Sequence, residues 1–342
     1  MFKKVFGEGN DFFALDISAT AIRVIELSKG PGGWKYERSN HQFFDPNLVS
    51  DSGKVAESIK KAIDSAGIKA KNVIISLPDE VSTVKITEIK KSPDKKISEI
   101  IESQIKKLES RQGEQNYEYL TLSKSKSDNE KTEVLIATAD KSFIEDRIGI
   151  LESIGLNVIA IEPEPLSLIH SVATSNGAQL IINLKDFTTD YVISDKKVPY
   201  YTKTVPFGAG LFVGMLQQNM QLDTATAQKY VADYGLNPEI LNGQITVALG
   251  SAIHQFINEI FNAITIFEKK YPHSKVKKII LTGYGTVIPH FLETISQQTG
   301  MTVKSADLWR DITVTDKEKS ELDTVISHFA VAIGLAKKEV NP

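Results

Sequence analysis

The residues best suited to chemistry gather around Asp16. The stretch 12–29, FFALDISATAIRVIELSK, brings Phe12, Phe13 and Leu15 up to Asp16, turns through Ser18, Ala19 and Thr20, and resumes with Ile22, Val24 and Leu27 against Arg23 and Glu26. That alternation predicts two strands joined by a short polar turn. An aspartate at the end of the first strand can hold a hydrated cation, while the N–H groups and hydroxyls of the turn can face a phosphate. Asp, Ser and Thr also form ordinary turns by bonding their own backbone, so the stretch taken alone reads either way.

Composition narrows the choice. The 342 residues suffice for two cores, with 40 Lys plus Arg against 43 Asp plus Glu. No global positive field argues for nucleic acid. Without cysteine there is neither a disulfide framework nor a thiolate metal site. His41, His170, His254, His273, His290 and His328 lack metal-binding spacing and read as structural. No apolar run reaches the roughly 18 to 20 residues of a membrane span, nor does the start resemble a secretory signal, so a cytosolic protein is expected. Phe2, Val5 and Phe6 beside Lys3 and Lys4 read as a flexible leader or a weak lipid contact.

Elements that would position Asp16 follow in order. A third strand is expected over 34–44, a helix over 53–66 with Val55, Ile59, Ala62 and Ile63 at helical spacing, and a buried strand over 73–77. Residues 81–161 read as β-α-β-β-α-β, a split-βαβ unit inserted into the first domain. A helix over 162–174 leads to a second three-strand meander over 179–184, 187–194 and 198–205. Helices at 211–220, 223–234 and 244–270 precede an apolar strand, 277–282, which ends at Gly283-Tyr284-Gly285. A helix over 289–298, a strand over 301–303 and a closing helix over 322–338 complete the chain. Two meanders and a late strand–Gly-x-Gly–helix suggest a nucleotide held between two related halves, both strand turns facing its phosphates and the Gly-x-Gly letting backbone approach base and ribose.

At this point the chain resembles the PilM family of type IV pilus assembly, within the actin-like ATPase fold. ALDISATAIRVIEL is similar to that family's first phosphate segment. ISLPDEVSTVKITEIKK and IATADKSFIEDRIGILESIGLNVIAIEPEPLSLI resemble the two flanks of its inserted subdomain, while KTVPFGAGLFVGML and ILTGYGTVIPHF resemble later segments. The resemblance implies an α/β, actin-like two-domain fold with mixed five-stranded sheets and an FtsA/PilM-type insertion. Its first domain would comprise 1–80, 162–178 and 304–342, its insertion 81–161 and its second domain 179–303.

As cofactor, the resemblance implies ATP with Mg²⁺. Asp16, Ser18, Ala19, Thr20 and Arg23 would lie at the first phosphate turn, with Asp16 holding Mg²⁺ through water. Asn183, Lys185, Thr188 and Thr189 would form the second, Gly208 would open the following helix, and Gly283 and Gly285 would lie near adenine. The second turn departs from the family's Asp-x-Gly: Asn183 removes a carboxylate and Lys185 puts a side chain where backbone should approach, though it could contact a phosphate as a point charge. At most a weak ATPase is expected. The implied partner is the cytoplasmic N-terminal peptide of a PilN-like inner-membrane protein, bound beside the insertion, with other pilus components and self-association also in view. The protein would then sit at the inner face of the cytoplasmic membrane through that partner. An FtsA-like ATP-binding filament former is the alternative, and no acceptor-site acid points to a sugar or acetate kinase. Lys90, Lys91, Lys95 and Lys96 read as a solvated face or a contact for anionic lipid or an acidic partner.

Overall fold

The computed structural model describes residues 2–3, 11–30, 32–90, 96–124 and 131–338. Val5, Phe6, Pro31, Lys91 and Lys95, and the loop 125–130, lie outside them. Contacts divide the chain into two compact units, one of Met1–His170, Asp311–Thr313 and Val331–Pro342, the other of Ser171–Arg310 and Val314–Ala330.

The first unit begins with β1 (Phe2–Lys3), β2 (Phe12–Ile17), β3 (Ala21–Gly30) and β4 (Gly33–Phe43), followed by α1 (Ser52–Ala66) and β5 (Asn72–Leu77). Asp51 caps α1 through the Lys54 N–H, and Gly67 ends it in the left-handed region that glycine adopts freely. Then come β6 (Ser82–Lys90), α2 (Ile97–Gln112), β7 (Gln115–Lys124), β8 (Lys131–Asp140), α3 (Lys141–Ser153), β9 (Asn157–Pro163) and α4 (Glu164–Val172), whose last two residues belong to the second unit. Phe13, Leu15, Ile22 and Val24 from the opening hairpin pack with Val55 and Ile59 of α1 and Val73 and Ile75 of β5.

The second unit holds β10 (Gln179–Leu184), β11 (Thr189–Asp195), β12 (Val198–Val205), α5 (Ala209–Met220), α6 (Thr224–Asp233), α7 (Gln244–Ala248), α8 (Gly250–Lys270), β13 (Lys278–Gly283), α9 (Phe291–Thr299) and β14 (Thr302–Ser305). Beyond β15 (Ile312–Thr313), which pairs with β4 in the first unit, lie α10 (Asp316–Leu322) and α11 (Ala330–Ala336). The core of the second unit runs through Leu180, Tyr191, Phe212, Phe256, Ile260 and Phe291.

Topology repeats. The larger sheet has the order β1-β9-β5-β2-β3-β4-β15 and the smaller β12-β11-β10-β13-β14. Within both, an antiparallel meander continues into two parallel strands: β4-β3-β2-β5-β9 matches β12-β11-β10-β13-β14 in order and direction. Two-residue strands at its edges widen the first sheet from the expected five to seven. One of them is β1, so Phe2 and Lys3 pair into the sheet rather than forming part of a loose leader.

Three expectations need correction. The inserted layer is a three-stranded antiparallel sheet, β6-β8-β7, with α2 on one face through Ile101, Ile105, Val134 and Ile136. The fourth strand of the anticipated split-βαβ unit, β9, instead runs parallel to β5 in the main sheet, because Val-Ile-Ala-Ile is buried throughout and needs cover on both faces. The helix anticipated over 244–270 breaks at Leu249 into α7 and α8. The closing helix is shorter than 322–338, and α10 precedes it with a capping box in which Thr315 and Glu318 satisfy each other's backbone N–H.

Gly334 in α11 faces the backbone of Ser167, where an added Cβ would lie 1.8 Å from the carbonyl oxygen. Helix and carbonyl would have to move apart. Gly334→Ala is therefore expected to cost about 3 kcal/mol in urea unfolding. Gly214→Ala in α5, where nothing lies within 4 Å of the new Cβ, should be neutral or stabilise by about 0.5–1 kcal/mol.

Candidate functional site

Asp16 is the penultimate residue of β2, in the middle of the first sheet, and it is 4% exposed. Strand register places Arg23 of β3 directly opposite, and its Nη1 donates to Asp16 Oδ2 at 3.0 Å and, more weakly, to Ser18 Oγ at 3.4 Å. From β5, Ser76 Oγ donates to the other carboxylate oxygen at 2.9 Å. The turn between the strands is tied to itself: Ser18 N donates to Ala21 O, and Ala21 N donates to Ser18 Oγ. Ala19 is the exposed residue of the turn, and the Thr20 carbonyl accepts from Phe44 N.

These contacts belong to a row. His41 of β4 pairs with Arg23, Arg23 with Asp16, Asp16 bonds Ser76, and Ser76 stands beside Glu162 of β9 in the parallel ladder. Glu162 accepts from Ser167 Oγ at 2.9 Å and from the Lys338 ammonium, with His170 Nε2 3.5 Å away. Burial by itself would raise this carboxyl; the His170 contact and the Lys338 charge overcome it and hold the pKa down to about 2.

The second unit has the equivalent row on the equivalent strands. Thr204 of β12 pairs with Asp190 of β11, Asp190 with Asn183 of β10, and Asn183 with Thr282 of β13. Asp190 is buried and receives three donors: Asn183 Nδ2 at 3.1 Å, Thr204 Oγ1 at 2.9 Å and Lys185 Nζ at 3.1 Å. The positions of Asp16, Ser18 and Arg23 thus recur at the same spacing as Asn183, Lys185 and Asp190: the first is neutral, the base stands in the turn and the acid on the following strand. The surrounding side chains are committed too. Thr189 Oγ1 donates to Phe207 O, Tyr284 Oη to Asp186 Oδ1, and Thr282 Oγ1 to Ser327 O. Thr188 contributes its carbonyl, which accepts from Lys185 N.

Two of the predicted glycines serve this packing. A Cβ on Gly208 would lie 2.4 Å from Lys185 O, and one on Gly283, at φ +67°, would lie 2.3 Å from Leu184 O. Both let neighbouring loops close onto the second turn. Gly285 is looser, its nearest neighbour being the Phe291 ring at 3.5 Å.

An anion suits the first turn better than a cation does. Arg23 Nε is buried without a hydrogen-bond partner, so a donor is available beside Ser18. Direct coordination of Mg²⁺ would compete with partners already in place: each Asp16 oxygen accepts a hydrogen bond, from Arg23 or from Ser76, Asn183 is neutral, and Asp190 already meets a lysine. Among the described residues no group of three His, Asp or Glu is placed to hold a metal.

The sequence reading missed Ser76, Glu162, Asp190, Thr204 and Thr282. A signal for two of them existed, because Ser76 and Thr282 are single polar residues within the apolar runs VIISL and IILTG.

The sequence profile of the family described as type IV pilus assembly protein PilM matches residues 14–340. Among solved structures, a PilM–PilN type IV pilus biogenesis complex is similar with a TM-score of 0.81 at 18% identity, covering 96% of this chain and 98% of that one. Ethanolamine utilization protein EutJ from Carboxydothermus hydrogenoformans gives a TM-score of 0.56 at 11% identity, covering 98% and 92%. MreB 5 of Spiroplasma citri bound to AMPPNP gives 0.55 at 11% identity, covering 94% and 98%. The fold is actin-like.

Two measurements check the polar rows. Asp16→Ala strands a buried guanidinium and should cost about 3–5 kcal/mol in urea unfolding, whereas Asp16→Leu combined with Arg23→Met should cost much less. Glu162 has a folded pKa below its ordinary value, so its contribution is fully present above about pH 4.5 and is lost as pH falls toward 2. Unfolding free energies measured from pH 6 down to 2 should contain a loss of about 3 kcal/mol that Glu162→Gln lacks.

Proposed function

The chain belongs to the type IV pilus assembly protein PilM family, and from that premise we propose that it is a cytoplasmic docking component that binds the N-terminal peptide of a PilN-like inner-membrane protein. It is an actin-like component of the pilus assembly machinery. The docking role takes its support from the similarity of nearly the whole chain to a PilM–PilN complex.

One observation carries the choice of a docking component over a motor: the charged groups at both phosphate-turn positions are neutralised by the chain itself, Asp16 by Arg23 and Asp190 by Lys185. Hydrolysis needs an acid free to orient water and a cation to gather the phosphates. Here both acids stabilise sheets. A nucleotide phosphate would instead meet Ser18, Thr20 and Arg23 at the first turn, as a bound ligand that biases conformation rather than as a substrate. ATP in this role would supply charge and contact area. In this reading the membrane is reached through the PilN-like partner; no described helix is long and apolar enough to cross a bilayer.

Titrating the full chain with synthetic N-terminal peptides of inner-membrane pilus proteins should give saturable binding for the PilN-like one, with a Kd in about the micromolar range by calorimetry. Absence of binding to every such peptide, with and without ATP, would remove this reading.

A further inference from the structure

One end of the smaller sheet gathers lysine. Strands β10, β13 and β14 start there, and β11 passes into β12 through Lys196 and Lys197. Lys269 and Lys270 end α8, the connection onward adds Lys275 and Lys277, and Lys278 opens β13. Bonds hold these segments together: Ser274 Oγ donates to Asp195 Oδ2 at 3.2 Å, Lys277 N to Ala178 O, and Lys278 Nζ to Thr174 Oγ1 at 3.4 Å. All of these lysines except Lys278 are exposed. The segments that meet here, 174–179, 194–199, 268–278 and 299–302, contain only two acids: Glu268, which pairs with Lys275 at 2.6 Å, and the buried Asp195. A chain with a net charge of −3 thus carries a strongly positive end on its second unit.

The turn at this end argues that the charge is used. Asp195 pairs with Val198, so Lys196 and Lys197 make a two-residue hairpin turn, with φ of +52° and +65°. Both lie in the left-handed region, which asparagine and glycine adopt readily and where a lysine Cβ crowds its own backbone. Such strain persists where something else requires the residue. Lys269 and Lys270 have a local reason for their place, since they complement the negative end of the α8 dipole. The turn lysines belong to no helix.

This end is separate from the second phosphate turn. β10 runs from one to the other over six residues, or about 20 Å, roughly twice the Debye length at physiological salt. The cations are point charges on long stems, spread over a hairpin tip, a helix end and a connection, and the four segments hold no arginine to grip a single phosphate or carboxylate in a fork. Tyr271 is buried and half-buried Tyr200 packs edge-on against it, so neither offers a platform on which a nucleic-acid base would stack. We propose that this end of the smaller sheet is a docking surface for an anionic phospholipid bilayer, whose headgroup phosphates supply a plane of negative charge that needs no single register. The second phosphate turn then lies at the far end of the same strands, away from the lipid.

The test is co-sedimentation of the full chain with vesicles of phosphatidylglycerol mixed with phosphatidylcholine, or of phosphatidylcholine alone. The vesicles contain no protein, so the outcome is independent of the peptide-docking reading. Partitioning should be about a hundredfold or more greater onto the anionic vesicles, and high salt should abolish the difference. Lys196→Asn/Lys197→Gly gives the turn its preferred residues, so Tm should hold or rise while partitioning falls about 25-fold, a factor of about five for each lysine. Lys196→Arg/Lys197→Arg keeps the charge and should partition as the parent does. Lys60→Gln/Lys61→Gln, at exposed positions of α1 in the first unit, makes the same change in net charge and should have no effect. Equal partitioning onto both vesicle types would overturn the proposal, as would unchanged binding in the folded Asn-Gly variant. An equal loss in the α1 variant would overturn it in favour of net charge alone. Capture by immobilised polyglutamate with none by vesicles would overturn the lipid assignment and leave an acidic polypeptide as the occupant.

Discussion

A carboxylate and a guanidinium buried side by side at the centre of an apolar sheet dictate much of the first unit. Taking Asp16 and Arg23 out of water is expensive, and their mutual attraction offsets that cost only while they stay in contact. The pairing requires β2 and β3 in one register, because a slip by one residue would send Asp16 to the other face. It also requires β5 beside β2, since Ser76 completes the carboxylate. The pair therefore fixes three strands at once. Glu162 extends the same logic to β9 and, through Lys338, to the end of the chain.

The second unit solves the same problem with the charges relocated and a neutral Asn183 at the position of Asp16. Its acid sits on the second strand of the meander, at Asp190, and its base on the turn, at Lys185. The relocation keeps the ion pair neutral and leaves no carboxylate at the position equivalent to Asp16. The close approaches at Gly208 and Gly283 show the consequence in space, because the backbone of the second turn fills the room those glycines leave. What looks in the sequence like a weakened ligand site is in the structure a well-satisfied piece of sheet. Protein stability of only about 5–15 kcal/mol makes such satisfaction valuable in itself.

Much of this was legible in the residues and some of it was not. The two meanders were readable because alternation of apolar and polar residues reports strands directly, as in residues 12–27. The destination of β9 was not, since a continuous apolar run has no period that says which sheet will cover it. The break at Leu249 was hidden because its neighbours keep helical spacing on both sides. Capping chemistry at Thr315 and Glu318 was visible and would have placed α10. At the site, Asp16 and Arg23 stood out as chemistry, whereas their mutual neutralisation depends on a cross-strand register that a linear reading of charges does not reveal. Ser76 and Thr282 are ordinary residues until the neighbouring strand is known.

The proposal of a docking component rests on these two self-neutralised turns, Asp16 with Arg23 and Asp190 with Lys185. The most direct test of that account is inorganic phosphate release by the full chain in saturating ATP and Mg²⁺, with the pilus peptide present. The account predicts no release above that of buffer. Sustained Mg²⁺-dependent turnover that disappears in a folded Asp16→Asn variant would contradict it.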